Sequence, residues 1–402
     1  MSGTTEAETP APEAAGPRFP LDRPCRVRRR LLIMAAGAAF AALAQFLPSF
    51  PGFVERAYTE HLGQWAGRTL SAVTRWYPWS VMELAVMVLA LWLLWSMGRA
   101  LGQVLRGKRR LRNALACGLL RGGALAGAVL FLFYAAWGFN YARADLITRM
   151  NWGQWAESPE ESAAVEELER LCGELVDATN RAYGRAMGSP DAGGPSSPPQ
   201  TMAEVDRAID EAYGVVAQKL GLHPSFAAPR GPAKPVLCSF VMSRLLISGV
   251  YTPWTGEANY NREIPACNQP EVIAHEKAHQ RGVTSEDEAN FFGALACITG
   301  TDPYLNYSGL LMIQRQLLGE LNRRAPERAK PLIEKRHPGI ARDIRAANDF
   351  YNAHAGKASE VQGKLNNLYL KANNVKGGIQ SYRRSALLLL AYARRNGGTF
   401  LE

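Results

Sequence analysis

A chain of 402 residues, 47% of them hydrophobic and with a formal net charge of +10, is too long for a small stapled module and has length for a membrane part and one or two folded domains. The charge does not point to nucleic acid. The densest basic runs, Arg26 to Arg30 and Lys108 to Arg112, sit beside apolar stretches, and no basic run in the later part is interleaved with aromatics, so no nucleic-acid partner is expected.

Residues 1–30 read as a basic tail. Three stretches then have the length and apolarity of bilayer spans, roughly 31–48, 79–98 and 116–138, which makes 31–138 a membrane domain in contact with a lipid bilayer. Glu83 and Arg121 are expensive in hydrocarbon and read as boundary residues near span ends. The loop between spans two and three holds Arg99, Arg106, Lys108, Arg109, Arg110 and Arg112, whereas the loop between spans one and two holds only Arg56, Arg68 and Arg75. Positive charge stays inside, so the N-terminus is expected in the cytoplasm and residues 139–402 outside it. The basic flanks suit anionic lipid headgroups.

In the exported part, Ser158-Pro-Glu-Glu predicts an N-cap and a helix over 158–187, followed by a Gly/Pro/Ser-rich loop over 188–200 and a helix over 201–220 that ends at Gly221. The β-branched and aromatic stretch 235–263 predicts two or three short strands. Helices are expected near 286–298, 308–324, 340–354, 358–372 and 378–395. The domain is therefore α+β, mostly helical with a small sheet. Cys172, Cys238, Cys267 and Cys297 fall in this part, where either disulfides or buried thiols fit.

Residues 274–290, AHEKAHQRGVTSEDEAN, carry the chemistry. His275 and His279 stand one helical turn apart, so both can present a ring nitrogen to one ion, and Zn2+ takes neutral imidazole while leaving a position for water. Glu276 can reach that water as a general base. Gly282 ends the helix, and Ser285 with Glu288 forms a capping box for the next one. The third ligand is Glu286 or Glu288. Glu286 is preferred, because the cap occupies Glu288 and because Asn290, one turn on, can support a ligand by hydrogen bonding. Asp287 is expected to be solvated. His61, His223, His337 and His354 are isolated and read as structural or surface residues, and Cys267 as structural. Tyr260, Tyr307 and Tyr382 are equal candidates for stabilising an oxyanion, and YTPWTGEANYN (251–261) reads either as a plain hairpin or as an edge strand for an extended peptide.

With HEKAHQRG, SEDEANF, YTPWTGEANYN and LYLKANNVKGGIQSY (368–382) in view, most of the chain resembles an uncharacterised bacterial integral-membrane family of HExxH zinc metallopeptidases. His275-Glu276-x-x-His279 followed by Glu286-x-x-Ala289-Asn290 is similar to the gluzincin pattern, which implies a zincin-like domain, Zn2+ on His275, His279 and Glu286, and Glu276 as the catalytic base. The chain departs from gluzincins in the short spacing to Glu286, and Gly282 is closer to the metzincin arrangement, in which a histidine would stand where Ser285 does. The resemblance implies a multi-pass inner-membrane protein that cuts a peptide or protein substrate outside the cytoplasm. The other expectation is a non-catalytic membrane sensor or envelope-assembly protein with a structural or vestigial zinc site. The sequence carries no signal for oligomeric state.

Overall fold

The computed structural model describes residues 24–156, 161–188, 193–373 and 381–400. Three helices are long and apolar enough to cross a membrane, over Arg26–Ser49, Val81–Leu105 and Leu111–Ala136. The first begins as α1 at Pro24–Phe46, so the basic run Arg26 to Arg30 lies in its opening turns, while residues 1–23 of the expected tail lie outside the described residues.

After α1 the chain does not loop back. It runs through short helical turns and a π-helical stretch, Val54–Gly63, into α2 (Gln64–Thr74), and only then enters α3 (Val81–Leu105) and α4 (Leu111–Ala136). α1 and α4 cross with their backbones in contact: a Cβ on Gly37 would stand 2.3 Å from Gly127 O, and one on Gly127 would stand 2.7 Å from Ile33 O. Small residues permit that approach, the usual solution where hydrocarbon supplies no driving force between helices. Arg121 is the eleventh residue of α4, about 15 Å along it at 1.5 Å per residue, and not at its end as the sequence implied. Because the helix starts five residues before the apolar stretch does, the exposed Arg121 side chain must run along it to reach polar surroundings.

Glu83 is a span-end residue, and it is also buried. Its carboxylate accepts the amides of Leu237 (2.9 Å) and Cys238 (2.7 Å). Glu257 does the reverse, accepting Val81 N (3.1 Å) and Met82 N (2.8 Å) at the first turn of α3 while it pairs with Lys234 Nζ at 2.6 Å. Each carboxylate thus satisfies amides at a helix start, Glu257 at that of α3 and Glu83 at that of the short helix Ser239–Arg244, where orphan donors favour negative charge. α2 packs on the same body: Gln64 Nε2 donates to Arg281 O (2.7 Å) and Thr74 Oγ1 to Thr255 O (3.2 Å). The connector between the first two spans and the domain after the third therefore share one end of the helices, and the basic turn at Arg106–Arg110 lies at the other.

The domain is mostly helical around a small mixed sheet. α5 (Glu161–Met187) is followed by α6 (Met202–Leu220), which Thr201 caps through a reciprocal capping box with Glu204 and which Gly221 ends in the left-handed conformation at φ 62°. The Ser158 cap lies outside the described residues. The predicted strands resolve into β1 (Lys234–Pro235), β2 (Gly249–Thr252) and β3 (Glu257–Tyr260), with α7 (Ser239–Arg244) between the first two. β3 is central, parallel to β1 and antiparallel to β2, with Gly249 opposite Tyr260 and Thr252 opposite Glu257.

Then come α8 (Gln269–Gln280), α9 (Glu286–Thr299), α10 (Pro303–Arg324), α11 (Pro326–Glu334), α12 (Pro338–His354), α13 (Lys357–Ala372) and α14 (Ser381–Arg395). α11 had no forecast in the sequence: Pro326 opens it at the first helical position, where a proline costs no hydrogen bond. The core joins α5, α6, α8, α9, α10 and α14, with Trp152, Tyr213, Phe291 and Tyr304 fully buried. Cys172, Cys238, Cys267 and Cys297 are free thiols, and Cys267 is buried and donates to Asn268 Oδ1, a structural role.

Candidate metal centre

α8 is buried on nearly every side, unusual for so polar a helix, because most of its polar side chains are paired. On its far face Lys277 Nζ meets Asp206 Oδ1 (2.9 Å) and Asp210 Oδ1 (3.1 Å), while Arg281 pairs with Asp210 (2.6 Å) and stacks over the Tyr213 ring at 4.1 Å. Tyr213 donates its hydroxyl to Ala274 O at 2.7 Å. The carbonyls at the C-terminal end of α8 would otherwise be orphans. Trp137 Nε1 takes His279 O (2.9 Å), Gln64 takes Arg281 O, and Arg143 takes Gly282 O (3.1 Å). Residues next to the spans therefore hold the helix that carries the histidines. Gly282 turns the chain at φ 89°, which lets Val283 N return to Ala278 O.

That turn brings α9 back alongside. Gly293 permits the close approach, since a Cβ there would stand 2.9 Å from His275 N. His275, His279 and Glu286 come together, each offering a ligand atom within 4.8 Å of the others. The two Nε2 atoms are 3.0 Å apart, Glu286 Oε2 is 3.2 Å from His275 Nε2, and Glu286 Oε1 is 3.7 Å from His279 Nε2. Behind the rings, His275 Nδ1 meets Asn290 Oδ1 at 2.8 Å and His279 Nδ1 meets Val283 O at 2.7 Å. Each Nδ1 therefore carries the proton and each Nε2 points inward.

Burial disfavours a charged His275, but its hydrogen bond to the Glu286 carboxylate and the charges of Glu276, Glu286 and Glu271 outweigh it and push the pKa up to about 9. Burial raises the Glu286 carboxyl, yet the two histidines more than reverse this and hold it well below the usual carboxylate range. Glu276 is raised by burial, only partly countered by His275 and His279. Its Oε2 is buried and has no hydrogen-bond partner. Gly249 of β2 lies against it, with a Cβ there only 2.6 Å from Oε1, and the Tyr251 main-chain amide faces it.

Two local expectations fail. Ser285 begins α9 but makes no capping box: its hydroxyl bonds Asp287, and Glu288 is drawn away to Arg149 Nη2 (2.5 Å) and Leu146 N (2.7 Å). Asp287 is buried, not solvated, and meets Arg384 at 3.3 Å. A partner far along the chain captures the carboxylate in both cases.

Of the tyrosines, Tyr260 packs in the core and Tyr307 donates to Asp343 at 2.5 Å, while the Tyr382 side chain lies outside the described residues. Sequence reasoning missed another pair. Tyr141 and Tyr369 share a hydrogen bond of 3.0 Å, and Tyr141 is pushed far up by burial, by Tyr369 and by the negative field of Glu286. The run WGFNYAR after the third span holds Tyr141 and LYLKANNVKGGIQSY holds Tyr369, but nothing in either run links the two. His337 caps α12, His354 bonds Phe350 O, and His61 and His223 contact each other edge to face.

No curated protein and no solved structure matches the chain. Residues 58–390 match a family model described as a protein of unknown function (DUF3810), which covers the connector, the second and third spans and the cluster alike. The chain is a member of the DUF3810 family.

Proposed function

We propose that the protein is a membrane-anchored zinc metallopeptidase that hydrolyses peptide bonds at the His275, His279 and Glu286 cluster, outside the cytoplasm of a bacterial cell. The carrying observation is the convergence of two Nε2 lone pairs on a carboxylate, with both Nδ1 atoms committed to oxygen acceptors. Such a donor set fits a divalent cation, and two imidazoles with one carboxylate is a zinc set that leaves room for water. The partnerless Oε2 of Glu276 fits as well, because a buried carboxylate oxygen is costly unless something comes to it.

When bound, zinc would supply Lewis-acid polarisation of water and of the scissile carbonyl. His275, His279 and Glu286 would hold it. Glu276, whose carboxyl pKa burial raises, takes the proton as the water oxygen bonds the carbonyl carbon, and returns it to the nitrogen as the C–N bond breaks. Tyr141 and Tyr369 stand ahead of Tyr260 and Tyr307, which the core and Asp343 occupy, as donors to the oxyanion. Tyr141 suits this because its hydroxyl stays protonated.

β2 is an edge strand. Since Asn261 N bonds Ser248 O, alternation turns the amides of Gly249 and Tyr251 to the free edge, beside Glu276, where an extended peptide can add by main-chain hydrogen bonds. The test is metal analysis of detergent-purified protein, with peptide cleavage compared between wild type and Glu276→Gln. About one zinc per chain with cleavage abolished by the variant is expected; a zinc-loaded wild type that cuts no peptide in a diverse library returns the protein to the sensor or assembly class.

A further inference from the structure

The elements around the centre carry apolar side chains on the side that meets the spans. Trp254, at the β2–β3 turn, donates its indole N–H to Val129 O of α4 (3.3 Å) and packs against Phe133 with ring centroids 6.0 Å apart. Val129 stands seven residues before the end of α4, about 10 Å down the helix at 1.5 Å per residue. The hairpin tip thus reaches well below the domain end of a membrane-crossing helix, with 44% of Trp254 exposed. Held by Glu83 at the first turn of α3, Leu237 and the α7 residues Phe240 and Val241 are also exposed. Trp76, Tyr77 and Trp79 are exposed at the α2–α3 corner, the aromatic composition of a bilayer interface.

α13 closes the other side. Tyr369 packs on the same Phe133 at 6.2 Å, and Gln45, at the end of α1, donates to Ala372 O. At 100° per residue, exposed Val361, Leu365 and Leu368 form one stripe on α13, and Lys357, Lys364 and Lys371 follow one border of it. An apolar stripe bordered by lysines is the pattern of a helix lying in a headgroup layer.

We infer that the bilayer covers the β2–β3 hairpin tip, the outer face of α7 and the α13 stripe, and that the substrates of this centre are membrane-anchored polypeptides cut close to where they leave the lipid. The second half rests on the peptidase reading. From Trp254 to Gly249 the chain spans five residues, roughly 17 Å of extended strand, so a segment paired along β2 leads from the lipid surface to Glu276 within about five to ten residues.

The first arm of the test reconstitutes the full chain in phosphatidylethanolamine and phosphatidylglycerol vesicles doped with a phospholipid bearing a diazirine in its acyl chain, and maps the adducts by mass spectrometry after irradiation. Adducts on the peptides holding Phe240, Trp254 and Leu365, as well as on Leu91 of α3, are expected, with none on the exposed Ile333 of α11. Labelling confined to the three spans overturns the bilayer assignment. The second arm offers the zinc-loaded vesicles a single-span reporter with a 10- or 40-residue linker, and the same linkers as free peptides. Cuts within about ten residues of the span in both reporters, at least tenfold faster than in free peptide, are expected. Cuts scattered along the longer linker, or free peptide cut equally fast, overturn the substrate class. No cutting of any of them by zinc-loaded protein refutes the peptidase reading and the substrate class with it, while the lipid adducts still decide the bilayer assignment.

Discussion

The Nε2 atoms of His275 and His279 lie 3.0 Å apart, and behind them the ring of His279 donates to the main-chain oxygen of Val283, which can only accept. Two bare nitrogens at that separation repel unless a cation or a proton stands between them. Metal binding should therefore vanish in His275→Ala, His279→Ala and Glu286→Ala, read as zinc per chain by elemental analysis. Asn290→Ala removes only the oxygen that orients His275, so it should bind zinc about 10–100-fold more weakly. Full zinc retention in all four variants would remove the centre.

Glu276 touches no other member of the cluster by a hydrogen bond, which separates its role from theirs. Glu276→Gln should keep its zinc and lose about 10²- to 10⁴-fold in peptide hydrolysis. Gly249→Ala should also lose activity with zinc retained, because the new methyl would stand 2.6 Å from the Glu276 carboxylate. Loss of zinc in either variant contradicts the assignment.

Proton and metal compete for His275. Its pKa is raised from 6.5 to about 9 in the folded chain, so the metal-free fold gains stability from this proton below pH 6.5 and loses it as pH rises towards 9. The metal needs the neutral ring, so stabilisation by zinc should grow over the same window. Thermal unfolding at pH 6.5, 7.5 and 9, with zinc and with chelator, should give melting temperatures that diverge as pH rises. Parallel curves would show that His275 is not the competing group.

Lys234 and Glu257 form a buried ion pair that also receives two amides of α3. Lys234→Met leaves Glu257 charged and buried without its cation, and should cost about 3–5 kcal/mol. Adding Glu257→Gln should restore part of that loss, since the isosteric amide removes the stranded charge. Denaturant titration in detergent reads both, and a Lys234→Met protein as stable as wild type would mean the pair contributes nothing.

The spans, the helix break at Gly221 and the His-Glu spacing were legible because each is written in neighbouring residues: apolar length, a cap, an i,i+4 interval. The meeting of Glu286 with the histidines was legible for the same reason, since a glycine-ended turn of a few residues can only fold α9 back onto α8. What escaped depends on partners far along the chain. Glu288 would have capped α9 if Arg149 and Leu146 had not claimed it, and nothing around 288 announces residues near 146. Gln64 sits in what reads as inter-span connector, Trp137 at the end of the third apolar stretch and Arg143 just after it, yet they satisfy the carbonyls that end the motif helix. Tyr141 and Tyr369 are 228 residues apart and share no pattern.

The exchange of carboxylates between Glu83 and Glu257 leaves no hinge between α3 and the sheet. A span whose apolar length mismatches the surrounding hydrocarbon tilts to compensate. Because these bonds tie the first turn of α3 to β3, tilt of that span would be carried into the sheet rather than taken up by a linker. A change of acyl-chain length would thereby be felt at β2, the strand whose Gly249 lies against the Glu276 carboxylate.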